Sequence, residues 1–373
     1  MHVTLRLTTL LLSTFTLMCS AAEPGSDVGT AGTSSNQAGT ASGGAGGGNS
    51  VLPSGGSATQ GGTLAATAGA TTTGGSAAGT TPGGSAGASG GPAMPGPLPT
   101  MGCSAPDPVE EPQKWLQRDI AVAGVTAEQQ AMFGQRKYFV RLPVAYDHTK
   151  PYPVVFYGPG CGASNVEATP MMDQIKNDAI HVFLLQKSNC FSTGSTNGVV
   201  SPEVPYFTQA LDEVQGKYCT DSKRVFVSGY SSGAWLSNLL ACALGPRIRA
   251  IGTAAGGLNK ATVELFKCDT MGAPAAGIFY SGENDTENPA DRLDANGYQI
   301  GVIGARDRLI KSNGCDTTAS EPYAPNPICT QWKTGCPNNP VLYCIGPGDG
   351  HGKGDGKLNV SNKAFWDVWS ALP

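Results

Sequence analysis

The sequence predicts an α/β domain, a mostly parallel sheet with helices on both faces, preceded by a long segment with no fold of its own. Three observations lead there. Apolar runs of strand length alternate with stretches of helical spacing from about position 136 onward. Nearly half of the 52 glycines fall within 25–100, and no charged residue occurs in 28–106. The remainder of the chain, roughly 270 residues, suits a single α/β domain with a full-sized core.

Residues 1–22 carry weak positive charge at Arg6, an apolar run from Leu10 to Met18 and small residues at Ser20, Ala21 and Ala22. This pattern predicts a secretory signal peptide cut after Ala22, and hence a secreted chain. Cys19 offers a second route, a lipoprotein cut just before a cysteine that is then lipidated and tethers the chain to a membrane. Met18 stands where that cut wants a small residue. Residues 23–102 repeat Gly, Ala, Ser and Thr and end in a proline-rich stretch from Pro92 to Pro99. Such a segment buries too little apolar area to offset its ordering entropy and is expected to be a disordered linker. A coil of this kind spans roughly 45–55 Å.

The catalytic domain is expected over 103–373. Arg136–Pro143 alternates and reads as a strand, as do the apolar runs Tyr152–Tyr157 and Ala179–Leu185. Helical spacing covers 205–217, followed by the strand Arg224–Ser228 and a helix over 232–244. Strands come next at Ile248–Ile251 and Ala275–Tyr280, then a helix at 298–312 and a last strand at Val341–Ile345. Phe365, Trp366 and Trp369 then share one side of a C-terminal helix.

A net charge of −4 supplies no basic field for DNA or RNA, so nucleic-acid binding is not expected. No apolar run of 18 residues occurs after the first twenty. Ten cysteines remain once Cys19 is set aside, an even number that reads as up to five disulfides in an exported chain. No pair has C-x-x-C spacing, which argues against a zinc site.

Gly229-Tyr-Ser231-Ser-Gly233 is a G-x-S-x-G pattern, and so are the stretches around Ser85 and Ser89 in the linker. Context separates them. Ser231 follows the strand Arg224–Ser228 and opens a helix containing Trp235, Leu236, Leu239 and Leu240. That strand-turn-helix is the nucleophile elbow of an α/β-hydrolase, whereas the linker copies have neither strand nor helix.

A serine hydroxyl needs a base, and the α/β-hydrolase chain order is Ser, then Asp or Glu, then His. Of four histidines, His2 lies in the leader, His148 in a polar loop and His181 in an apolar strand. Only His351 follows Ser231, in a glycine-rich loop just past the last strand. Asp285, a few residues beyond the strand ending at Tyr280, is favoured as the acid over Glu283, Asp291 and Asp294. The Asn284-Asp-Thr286 sequon is read as accidental. Two backbone N–H groups should form the oxyanion hole. One belongs to Ser232. Because Pro159 has no N–H, the other falls to Gly160 or Cys161, with Cys161 preferred.

Taken together, these residues resemble a group of secreted esterases. Gly134–Tyr146 with Pro151–Gly158 is similar to the start of feruloyl esterases, acetylxylan esterases and polyhydroxybutyrate-depolymerase-like enzymes. Cys219–Gly233 is similar to their nucleophile segment, Ser281-Gly-Glu-Asn-Asp285 to their His-Gly-x-x-Asp acid motif, and Asn313-Gly-Cys315 through His351 to their histidine region. The chain departs from the group in three places. Tyr157-Gly158 stands where the group has His-Gly, Ser281 where it has His, and Gly352-Lys-Gly where it has Trp-Pro-Gly.

The resulting expectation is an exported, monomeric serine esterase acting on a polysaccharide ester of feruloyl type, with no metal or organic cofactor. Ser231 is the nucleophile, His351 the base and Asp285 its orienting acid. A polyester depolymerase or an acetylxylan esterase is the alternative enzyme, and a non-catalytic surface binding protein is the alternative of another class. Disulfides are expected to fix the histidine loop in particular, because 315–344 has little apolar content. The favoured pairs are Cys329–Cys336 and Cys315–Cys344, with Cys161–Cys190 and Cys242–Cys268 elsewhere.

Overall fold

The computed structural model describes residues 96–108, 110–166, 175–195, 198–270, 275–351 and 358–373. The leader and most of the linker lie outside these residues. Among the described residues, ten strands form one sheet: β1 (Leu116–Ala121), β2 (Gln135–Arg141), β3 (Tyr152–Gly158), β4 (Ile180–Leu184), β5 (Thr220–Tyr230), β6 (Ala250–Ala254), β7 (Ala276–Gly282), β8 (Ser320–Pro322), β9 (Cys329–Trp332) and β10 (Val341–Gly346). Their order is β1-β2-β4-β3-β5-β6-β7-β10-β9-β8. The six central strands, β4 to β10, run parallel, and each edge is finished by an antiparallel pair. The helices are α1 (Ala127–Phe133), α2 (Glu203–Lys217), α3 (Ser232–Leu244), α4 (Lys260–Phe266), α5 (Val302–Asn313) and α6 (Leu358–Ser370).

Continuous apolar strands make this sheet because both of its faces are covered. Alternate residues of one strand enter different cores. Val225 and Val227 of β5 pack with α2, α3 and α5 residues such as Phe207, Leu239 and Leu309. Phe226 between them packs in the second core with Phe365 and Trp369. Its ring stacks on Trp369 at 5.1 Å. The predicted aromatic side of the C-terminal helix is this contact.

Five elements were not predicted. β1 and β8 are short edge strands and β9 the short strand next to β8, all with polar residues, and α1 and α4 are seven-residue helices. Helix α5 starts at Val302 rather than 298 because Gln299 and Ile300 belong to a loop, where Ile300 N–H donates to Arg292 O at 2.9 Å.

Packing also begins before Cys103, the expected domain start. Leu98 N–H donates to Asp221 Oδ1 at 2.9 Å and Thr100 N–H to Thr220 O at 3.0 Å. The disulfide Cys103–Cys219 secures the same junction.

Cys161–Cys190 and Cys242–Cys268 are bonded as expected. The other two expected pairs are not; the bonds are Cys315–Cys336 and Cys329–Cys344. The unpredicted strand β9 is the reason. Cys329 opens β9 and sits directly opposite Cys344 in the β9–β10 ladder. The extended strand carries Cys336 away from Cys329 and toward the end of α5, where Asp316 N–H donates to Thr334 O at 2.8 Å.

Among the described residues, Arg136 and Glu203 form a fully buried ion pair. Arg136 donates to Glu203 Oε2 at 2.9 Å and to Leu185 O at 3.1 Å, with its guanidinium 3.8 Å from the Tyr206 ring centroid. Glu203 Oε1 accepts the Ser192 N–H at 3.0 Å, so this carboxylate also holds the loop after β4. Glu203→Ala strands a buried cation and is expected to cost about 3–5 kcal/mol, read as a lower urea midpoint. The double variant Arg136→Met/Glu203→Leu should recover most of that loss.

His181 is buried in β4 with its ring 5.6 Å from that of Trp115. Burial, reinforced by Arg141, pushes its pKa down to about 3. The unfolded chain therefore takes up this proton first, near pH 6.5 or roughly so. The stability contribution is fully present above that value and is lost as pH falls toward the folded value. A His181→Phe variant should lose less stability between pH 7 and pH 4 than the parent chain, measured by urea unfolding at each pH.

Candidate active site

Ser231 sits between β5 and α3 with φ 49° and ψ −114°, a conformation that side-chain-bearing residues rarely adopt. Its neighbours make this possible. A Cβ on Gly233 would lie 1.7 Å from Gly158 O, and one on Gly229 would lie 2.1 Å from the Gly233 carbonyl carbon. Only glycine lets strand and helix approach this closely. Ser231 N–H donates to Ala254 O of β6 at 2.9 Å, which fixes the turn.

The loop after β10 brings His351 to the turn. Its Nε2 is 2.9 Å from Ser231 Oγ and its Nδ1 is 2.9 Å from Asp285 Oδ2. Asp285 is buried past the end of β7. Its Oδ1 also accepts the N–H groups of Glu287 at 3.0 Å and Asn288 at 2.8 Å. A carboxylate so held keeps one orientation, and the network assigns the proton to Nδ1. That leaves Nε2 as acceptor for the Ser231 hydroxyl.

The structure thus brings Ser231, His351 and Asp285 into one hydrogen-bonded chain. Two of the acids passed over, Glu283 and Asp294, are engaged in other hydrogen bonds. Glu283 accepts the Gly348 N–H at 2.9 Å, and Asp294 accepts those of Asn296 and Tyr298, both at 2.9 Å. His148 is 3.5 Å from Asp107 at the surface. Ser232 and Cys161 both line the cleft at Ser231, a space of about 330 Å³ shared with Phe191, Trp235 and Asn259. The disulfide Cys161–Cys190 and the Gly162 N–H bond to Asn189 O at 2.6 Å tie the loops after β3 and β4 together there.

Several supporting residues escaped sequence reasoning. Tyr230, the variable residue of the motif, donates its hydroxyl to His351 O and lays its ring 5.3 Å from the imidazole. Burial, with Glu287 and Asp285 adding to it, raises the Tyr230 pKa to about 12, so the hydroxyl remains a donor at neutral pH. Tyr280 donates to the buried Asp349 carboxylate two residues before His351. Glu287 Oε2 lies 3.6 Å from His351 Nε2 and is largely exposed. Position within the motif was a signal for Tyr230; nothing in the sequence marked the others.

No protein-family model matches the chain. Among curated proteins it is similar to the probable feruloyl esterase C of Aspergillus niger, 24% identical over 249 residues, 63% of this chain and 84% of that protein. Its sequence similarity is thus to feruloyl esterases. It also matches feruloyl esterase C of Emericella nidulans, 24% identical over 196 residues, covering 49% of this chain and 64% of the relative. Feruloyl esterase B of Piromyces equi is 28% identical over 162 residues, 42% of this chain but only 30% of that longer protein. Among solved structures, acetyl xylan esterase from Aspergillus awamori aligns with a TM-score of 0.48 and 13% identity, over 68% of this chain and 99% of that one. The feruloyl esterase module from Clostridium thermocellum aligns at 0.44 with 12% identity, over 74% and 92%.

In this chain the Tyr230 hydroxyl anchors the backbone of His351. Tyr230→Phe removes one hydrogen bond worth about 1 kcal/mol, or roughly fivefold in rate. The loss should appear in kcat with KM nearly unchanged, measured on a soluble aryl ester.

Proposed function

We propose that the chain is an exported serine esterase that hydrolyses carboxylic esters carried by a polysaccharide, with acyl groups of feruloyl type. The observation that carries this reading is the unbroken hydrogen-bonded chain from Asp285 through His351 to Ser231 at the edge of an open cleft. The names of the curated relatives point to the same substrate class.

Ser231 Oγ attacks the ester carbonyl while His351 Nε2 takes its proton. Asp285 stabilises the imidazolium that forms. Ser232 and Cys161 N–H groups take up the negative charge on the carbonyl oxygen. His351 returns the proton to the departing alcohol, and water then repeats the sequence on the acyl-enzyme. Trp235, Phe191 and Ile300 give the cleft an apolar wall suited to an aromatic acyl group, with Thr193 and Asn259 beside it for polar substituents. Export is supported by five disulfides, which persist in oxidising surroundings. The domain proposed for this activity is the one expected from 103 onward, together with the short stretch from Leu98 that packs on β5.

Ser231→Ala is expected to lower kcat by about 10⁴-fold or more, the remaining rate being left to oxyanion binding alone. Ser85→Ala and Ser89→Ala should change nothing. Rates on methyl ferulate, acetylated xylan and polyhydroxybutyrate, measured side by side, test the acyl preference. Normal turnover by the Ser231 variant would overturn the mechanism.

A further inference from the structure

A second cleft of about 330 Å³ lies on the other side of the oxyanion loop, between the β1–β2 edge and the loops that leave β3 and β4. Its lining differs in kind from that of the cleft at Ser231. Gln117 and Asp119 of β1 and Gln135 and Lys137 of β2 are exposed, and Asp119 stands directly opposite Lys137 in the ladder. Ser164 and Asn165 come from the loop after β3, and Gln186 and Lys187 from the loop after β4. Half-buried Phe139 adds one aromatic ring, packed edge-on against Phe183 at 6.3 Å.

Gln186 is the informative residue. It is 6% exposed, and its Nε2 donates to Gly160 O at 3.0 Å and to Asn189 O at 3.3 Å. Those two acceptors fix the amide orientation. Its Oε1 is then a buried acceptor with no hydrogen-bond partner among the described residues. Buried acceptors are seldom left unpaired, so this orphan in the wall of a polar cleft is a place where a water or a ligand hydroxyl would donate.

We infer that this cleft is a glycan subsite that binds neutral, hydroxyl-bearing sugar units on the alcohol side of the ester, a step that rests on the polysaccharide-esterase reading above. The lining chemistry selects this occupant. Amide and hydroxyl side chains both donate and accept, as sugar hydroxyls require. Asp119 faces Lys137 and Glu203 pairs with Arg136, so Lys187 is the single further cation of the lining, too little charge to select a polyanionic ligand. The Phe139 ring supplies an apolar surface for the C–H face of a sugar. Position agrees as well. The loops after β3 and β4 leave the carboxyl ends of parallel strands, where Ser231 also stands. Through Gly160 the subsite adjoins the oxyanion loop, since a Cβ on Gly160 would lie 3.6 Å from Ser231 Cβ.

The test pairs two substrates and one binding measurement. In the double variant Gln117→Ala/Asn165→Ala both altered side chains are exposed, so the fold and the chemistry at Ser231 should be untouched. Its kcat/KM on a feruloylated arabinoxylo-oligosaccharide is expected to fall about tenfold through KM, with methyl ferulate hydrolysed as by the parent chain. Independently, calorimetric titration of Ser231→Ala with unesterified arabinoxylotetraose should show saturable binding that the added double substitution weakens tenfold. Equal kcat/KM losses on both esters, or no loss on either, would overturn the subsite. So would titration without binding. A parent chain that hydrolyses neither ester would instead remove the esterase reading, and the titration would still decide the subsite.

Discussion

The site depends on one steric constraint, the backbone contact between the end of β3 and the first turn of α3. Gly158 and Gly233 meet with no room for a side chain on the helix residue, and Gly229 closes the same junction from β5. Three chain segments therefore converge without intervening Cβ atoms, and the residue between Gly229 and Gly233 is forced out of the ordinary helical and extended regions. The strain falls on Ser231, where the Ala254 carbonyl holds it. The same junction sets the start of α3, and with it Ser232, at the wall of the cleft. Every other part of the site has to arrive at the point this contact defines.

The histidine loop arrives there by cross-linking rather than by burial. Residues 315–340 contribute few apolar side chains to either core, and packing alone would leave His351 imprecisely placed. Cys329–Cys344 fastens β9 to the strand that ends just before the loop, and Cys315–Cys336 fastens the end of α5 to the turn between them. Each closes a short loop and contributes roughly 2–4 kcal/mol by restricting the unfolded chain. The final residues are positioned by polar contacts. Tyr280 holds Asp349, Asn284 N–H donates to Asp349 O at 2.7 Å, and Tyr230 holds the His351 carbonyl. Acid loop and histidine loop are thereby fixed to each other before either reaches Ser231.

Legibility in the sequence divides along the same line. The central strands were legible because a doubly covered parallel sheet writes itself as unbroken apolar runs, and helix α3 was legible to the residue because the motif marks its start. The edge strands were not, since β1 alternates half-buried and exposed residues and β8 is exposed throughout. Missing β9 misplaced two disulfides, because the ladder sets Cys329 against Cys344 and so excludes both Cys329–Cys336 and Cys315–Cys344. Elimination worked for His351 since only four histidines exist. It had no purchase on Tyr230, Tyr280 or Gln186, whose roles depend on contacts with residues distant in sequence.

The departures from the related esterases fall on supports of the site, not on its reacting groups. Ser281 replaces a histidine of the acid motif, and its buried hydroxyl shares a hydrogen bond with Tyr343 Oη at 2.8 Å, joining β7 to β10 directly behind both loops. Tyr157 and Gly158 replace the histidine and glycine before the oxyanion loop, and the Tyr157 ring packs against Phe183 at 5.9 Å. Pro159 then removes one backbone donor, and Gln186 and the Cys161–Cys190 bond hold the segment beyond it. An acyl-transfer centre tolerates such exchanges as long as three distances survive: serine to imidazole, imidazole to carboxylate, and oxyanion to its donors. Specificity is not protected in the same way. The loops that these substitutions re-support, 159–166, 185–193 and 286–300, are the ones that line both clefts, so on the proposed reading substrate preference belongs to them rather than to Ser231, His351 and Asp285.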